Sequence, residues 1–195
     1  MISVSSVIGL QDDAVTRWHC EPIAIHQIDV EAIVLANHEI NFRLWHEEDQ
    51  ARDPKATDSS IATVKRSIDR LNQLRADSIE RLDDAIDQWI LNQTIAVSSD
   101  LLNTETPGSA IDRLSILSLR IFHLDEENHR ARIADATRQR VTLSLRVAKQ
   151  QRTNLATSLQ QLLNDLATGA KRHQTFRQLK MYNDPELNPV LYQKR

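Results

Sequence analysis

Glycine and proline are scarce: the 195-residue chain holds 3 and 5 of them. Tight turns, β-bulges and glycine-rich phosphate loops are therefore nearly excluded, and long uninterrupted helices are favoured. Aromatic residues make up 4%, too few for the aromatic and β-branched alternation of a sheet protein. A single cysteine, Cys20, rules out an internal disulfide and a cysteine-built zinc site, and it suits a reducing compartment. No apolar run approaches the 18 residues of a membrane span. The opening "MISVSSVIGLQDD" has neither the basic start nor the apolar stretch of a signal peptide, so the expected location is cytoplasmic. A net charge of −3 supplies no broad basic face, and nucleic acid is not an expected partner.

Helix formers dominate what is present. With 41% hydrophobic and 26% charged residues, the chain has the composition of one globular, all-α domain spanning 1–195. The expected order is an N-terminal segment 1–28 with a short helix over part of Ser6 to His19, a bundle over 29–168, and a docked tail over 169–195. Asp29 is the expected cap of a helix to about Asp53, and Asp58 or Ser59 of one from about Ile61 to Asn92. Thr106 and Pro107 read as cap and first residue of a third. From Ser109 to Thr168 there is no glycine or proline, yet one helix of that length would run about 90 Å. A break is expected between Asn128 and Asp135, with Gly169 ending the fourth long helix. The expected architecture is thus an antiparallel bundle of four long helices, a short N-terminal helix, and a C-terminal tail packed across it through Phe176, Leu179, Met181 and Tyr182.

Four regions carry polar residues where a plain apolar stripe would serve. In "NFRLWHEEDQAR" (41–52), Asn41, Trp45, Glu48 and Arg52 follow one another at spacings of four, three and four, beside the apolar seam. A surface ion pair of Glu48 and Arg52 is the simple alternative. On the next helix Arg75 and Ser78 interrupt the stripe between Leu71 and Leu82. Lys65, Asp69, Asn72, Glu80 and Asp83 line its edge. A buried arginine needs a carboxylate or an anionic ligand, and Glu48 is the expected partner, either as a structural pair or at a ligand site. Glu105, Thr106, Asp112 and Arg113 surround a helix start whose free amides could take an anion, or simply be capped. The tail offers Arg177, Lys180, Tyr182 and Asn183, as anion ligands or as solvated charge.

Other chemistries find little support. Only Glu126 and His129 match the Glu-x-x-His spacing of di-iron bundles. No two histidines lie four apart on a helix, and His46 reads as exposed or locally bonded. Glu80 and Asp83 resemble the second acidic pair of the all-helical nucleotide pyrophosphohydrolases, which hold Mg²⁺ between two helices; the first pair of that family is missing here.

The segments "NFRLWHEEDQAR", "VKRSIDRLNQLRADSIERLD", "TETPGSAIDRLSIL" and "FRQLKMYNDPELNP", taken in order, resemble a bacterial family described as domain of unknown function forty-two fifty-four. The resemblance covers nearly the whole chain and implies no activity or catalytic residue. The genomic neighbourhood it implies, among cell-envelope polysaccharide genes, would suit a sugar phosphate or nucleotide sugar.

These readings converge on an interhelical pocket for an anionic, phosphate-bearing small molecule. Arg75, Lys65, Arg113 and Lys180 would hold the anion, with Arg177 and Arg52 nearby, and Asn41 and Asn72 would orient it. Glu48 or Glu80 would act as base, and Glu80 with Asp83 would be the ligands of any Mg²⁺. The alternative is a non-catalytic interaction protein, able to form a homodimer, whose interior charges fix helix register.

Overall fold

The computed structural model describes residues 3–92, 98–179 and 186–192. Regular structure among them is helical: α1 (Val4–Trp18), α2 (Asp29–Ala51), α3 (Asp58–Asn92), α4 (Pro107–His129), α5 (Asp135–Ala167) and the single turn α6 (Pro189–Tyr192). Among the described residues no helix is long and apolar enough to cross a membrane.

Helix ends follow local chemistry. Ser3 caps α1 by accepting from the Ser6 amide, and Thr106 caps α4 by accepting from Ser109, with Pro107 in the first helical position. The break between α4 and α5 falls at Arg130–Ala134, where the Arg138 guanidinium binds the carbonyls of Asn128 and Arg130. Gly169, at φ 70°, ends α5 in the left-handed region that glycine occupies without steric cost. Two expected caps differ. Ile28, which has no capping side chain, precedes α2, and Asp29 is its first residue. Thr57, rather than Asp58 or Ser59, accepts from the Ser60 amide at the start of α3.

The helices form two antiparallel hairpins. In the first, Asn37 of α2 faces Ser78 of α3 while Glu47, further along α2, faces Ser67. Leu44 shares a cluster with Ile68 and Leu71 between them. In the second, Asn128 meets Thr142, and Ile121 packs with Leu145 and Ala148. α4 is the central element and touches α1, α2, α3 and α5. The short N-terminal helix is no accessory: α1 runs parallel to α2 and α4 and buries Val4, Val7, Ala14, Val15 and Trp18. Asp12 ties it down, accepting two bonds from Arg152 of α5 at 2.8 Å and one from Ser118 of α4 at 2.6 Å.

The start of the tail does return to the bundle, though not through its expected anchors. Phe176 is 59% exposed and Leu179 82% exposed; Met181 and Tyr182 lie outside the described residues. Polar contacts hold it instead. Leu102 and Arg172 form a β-bridge, Thr175 reaches Asp87, and Arg177 reaches Glu80 and Asp84.

Where α4 begins, it presses on α3. The Gly108 amide donates to Asp83 at 2.7 Å, so this buried carboxylate caps a neighbouring helix. A Cβ at Gly108 would lie 2.6 Å from the Ile79 carbonyl oxygen and 2.7 Å from the Asp83 carboxylate. Gly9, exposed inside α1, would meet nothing within 4 Å. Gly108→Ala is expected to cost at least about 1–3 kcal/mol by overpacking, and Gly9→Ala to add about 0.5–1 kcal/mol through helix propensity. Urea unfolding of both variants should move the midpoint in opposite directions.

Candidate functional site

The polar residues that interrupt the α2 and α3 stripes meet around one carboxylate on α4. Asp112 is 3% exposed and accepts four hydrogen bonds. Arg75 of α3 gives two, from Nε to Oδ1 at 2.9 Å and from Nη2 to Oδ2 at 2.5 Å. Asn37 and Asn41 of α2 each donate from Nδ2 to Oδ1, at 3.0 and 2.9 Å. The second amide proton of Asn37 goes to Ser78 Oγ and that of Asn41 to Ser115 Oγ. The Ser78 hydroxyl in turn donates to the Arg75 carbonyl. With both oxygens so engaged, Asp112 is a clamp among three helices rather than a free base. The same contact raises the Arg75 pKa and keeps the guanidinium charged.

His38 extends the network. Its Nδ1 lies 2.7 Å from Ser115 Oγ, which also accepts from Asn41. Nε2 stands near the Gln11 backbone without a well-formed bond. Burial lowers the His38 pKa to about 4, against a raising contribution from Gln11.

Beside this network opens a cavity of about 300 Å³ lined by Asn41, Leu44, Trp45, Glu48, Asp49, Arg52, Asn72, Arg75, Ile116 and Leu119. The Arg75 side chain is 30% exposed there. The expected residues Asn41, Trp45, Glu48, Arg52, Asn72 and Arg75 thus share one wall-set, and Asp112 lies behind Arg75. The expected ion pair is different: Arg75 pairs with Asp112, while Glu48 pairs with Arg52 of its own helix at 3.0 Å. Sequence spacing shows which residues share a helix face, but not which of two carboxylates on other helices is in reach.

Other candidates lie elsewhere. Lys65 forms an exposed pair with Asp69, and Arg113 pairs with Glu105 at 2.6 Å. The α4 start does not offer free amides, because Asp83 takes Gly108 and Thr106 takes Ser109. Burial raises the Asp83 pKa; the bonds from Thr106 and Gly108 oppose it. Glu80 faces the tail, accepting from Arg177 and the Gln178 amide. Glu80 thus meets the tail while Asp83 meets the start of α4, and Arg177 is taken by Glu80 and Asp84. Lys180 lies outside the described residues. Asn37, His38, Ser78 and Ser115 were not singled out as site residues; the interruption of the α3 stripe at Ser78 was the one trace of them noted above.

Residues 31–175 match the family described as protein of unknown function (DUF4254). The chain belongs to that family. The matched span runs from the first turn of α2 to Thr175, so all three helices of the Asp112 network lie within the DUF4254 region, whereas α1 precedes it. No curated protein and no solved structure matches the chain.

The buried imidazole has a measurable consequence. Because His38 has a folded pKa near 4, below its unfolded value of 6.5, the unfolded chain binds the extra proton. The stability due to neutral burial is present above pH 6.5 and is lost as pH falls towards 4. Urea unfolding should show about 2 kcal/mol less stability at pH 5 than at pH 7 from this group. His38→Gln should flatten that slope.

Proposed function

We propose that the DUF4254 domain of this chain is a small-molecule binding module, and that its ligand is a monosaccharide phosphate or a compound of similar size and charge. The observation that carries this reading is the fixed guanidinium of Arg75: Asp112 holds two of its three nitrogens, and Nη1 remains for a ligand in the cavity wall. Arg52 is a second cation on the same wall. Its bonds to Glu48 at 3.0 Å and Asp49 at 3.5 Å are exposed pairs of little strength, so it can turn to an anion at small cost. Trp45 offers an apolar wall of the kind that packs against a sugar ring, and Asn41, Asn72, Glu48 and Asp49 supply hydroxyl partners. The volume lies at the lower end of ligand cavities, about 300–1,000 Å³, which favours one sugar unit over a dinucleotide. In this reading Glu48 is a binding group, and any role as a base depends on the ligand.

The second reading is a non-catalytic interaction protein. It is favoured by the complete internal satisfaction of Asp112, which needs no ligand, and by Leu143 and Val147, four residues apart on α5 and 58% and 47% exposed.

Thermal melting with sugar phosphates, free monosaccharides, nucleotides and inorganic phosphate separates the two. A ligand at 100 times its Kd adds about 2.7 kcal/mol. The binding reading expects a sugar phosphate to raise the melting temperature, and Arg52→Ala or Asn72→Ala to abolish the rise while leaving the unliganded melt close to wild type. If every compound leaves wild type unmoved, or the rise survives in both variants, the cavity is not the site.

A further inference from the structure

α1, α2 and α4 run in the same direction, so their C-terminal ends share one end of the molecule. Three histidines meet there: His19 at the C-cap of α1, His46 near the end of α2 and His123 near the end of α4. One ring nitrogen from each lies within 4.8 Å of the other two. His19 Nδ1 lies 2.6 Å from the Val15 carbonyl, and His123 Nδ1 lies 2.9 Å from the Glu126 carboxylate. Both partners can only accept, so both Nδ1 atoms carry the proton and each Nε2 presents a lone pair. Those two Nε2 atoms are buried and have no hydrogen-bond partner. No hydrogen bond among the described residues holds the His46 ring, which meets His19, Phe42 and His123 edge-on.

We infer that His19, His46 and His123 form a binding site for a divalent transition-metal ion of the zinc class. Imidazole nitrogen suits Zn²⁺, Co²⁺, Ni²⁺ and Cu²⁺, whereas Mg²⁺ and Ca²⁺ demand oxygen. Three nitrogens at the usual 2.0–2.1 Å from tetrahedral zinc lie about 3.4 Å apart, so from separations of up to 4.8 Å the rings need to close by at most about 1.4 Å. The Nδ1 bonds to a backbone carbonyl and a carboxylate are the outer-shell contacts that fix a ligating histidine's tautomer and orientation. An apolar shell surrounds the cluster: Phe122 stacks on His19 with centroids 4.4 Å apart, Phe42 lies against His19 and His46, and Trp45 stacks on His123. The carboxylates within electrostatic range, Asp49 and Glu126, favour a cation, and so does the negative end of α1. Three protein ligands leave a fourth position for water or another donor. Trp45 lines the sugar-phosphate cavity on one side and packs on His123 on the other. The metal site nonetheless stands whether or not that cavity binds a ligand.

The test is calorimetric titration of the untagged, full-length chain with Zn²⁺, paired with the visible absorption of the Co²⁺ complex. One ion per chain at micromolar or tighter affinity is expected, with Co²⁺ bands of low coordination number. His46→Phe keeps an aromatic ring in the cluster and should weaken binding by more than the ~10–100-fold that loss of an outer-shell partner causes. Glu126→Gln should weaken it by about 10-fold, with the same far-UV circular dichroism as wild type. Sub-stoichiometric or absent binding to wild type overturns the proposal. So does unchanged affinity in His46→Phe, which would place the ion on other surface groups.

Discussion

A carboxylate taken out of water must be matched by donors, and Asp112 finds all of its donors on other helices. Its position inside α4 means that α2 and α3 approach in the one register that presents Asn37, Asn41 and Arg75 together. A slide of α2 by one turn would take at least one of its two amide donors away from Asp112 Oδ1, a loss of about 1–3 kcal/mol. Apolar packing of Leu44, Ile68 and Leu71 supplies much of the adhesion between α2 and α3 but tolerates sliding far better. The buried polar cluster therefore sets register, and the core supplies the bulk of the stability.

That register has consequences at both ends of the three helices. Towards the start of α4, Gly108 lets the backbone close on Ile79 and gives Asp83 an amide to bind. Towards the ends of α2 and α4, the same alignment brings Trp45 beside His123 and draws His19 and His46 into the cluster. The cavity lies between, where Arg75 crosses from α3 to α4. Trp45 is the shared wall of cavity and cluster, so a change in its packing would be felt in both.

Much of the fold was legible in the sequence, because glycine and proline are few and some of them mark helix ends: Pro107 begins α4 and Gly169 follows α5, while Gly9 sits inside α1. The break after His129 could be read from the excessive length of an uninterrupted helix, and placed by the loss of apolar residues there. Membership of the cavity was legible too for Asn41, Trp45, Glu48, Asn72 and Arg75, since helical spacing places them at the edge of a seam. What spacing cannot encode is pairing between helices. Arg75 had Glu48 as its nearest plausible partner by that logic, and the actual partner sits on α4. The histidine cluster was invisible for the same reason: its members come from three helices and no two are near in sequence. α1 was expected as a short helix ahead of a bundle over 29–168, whereas its buried face completes the groove between α2, α4 and α5.

A double-mutant cycle on Arg75 and Asp112, read by urea unfolding, tests the clamp most directly. Arg75→Met and Asp112→Leu should each cost about 2–4 kcal/mol, somewhat below a fully buried pair because Arg75 is partly exposed. The double variant should be more stable than the sum of the two losses implies, by at least about 1 kcal/mol. Single losses within about 0.5 kcal/mol of wild type, or losses that simply add, would mean that Asp112 does not set the register of these helices.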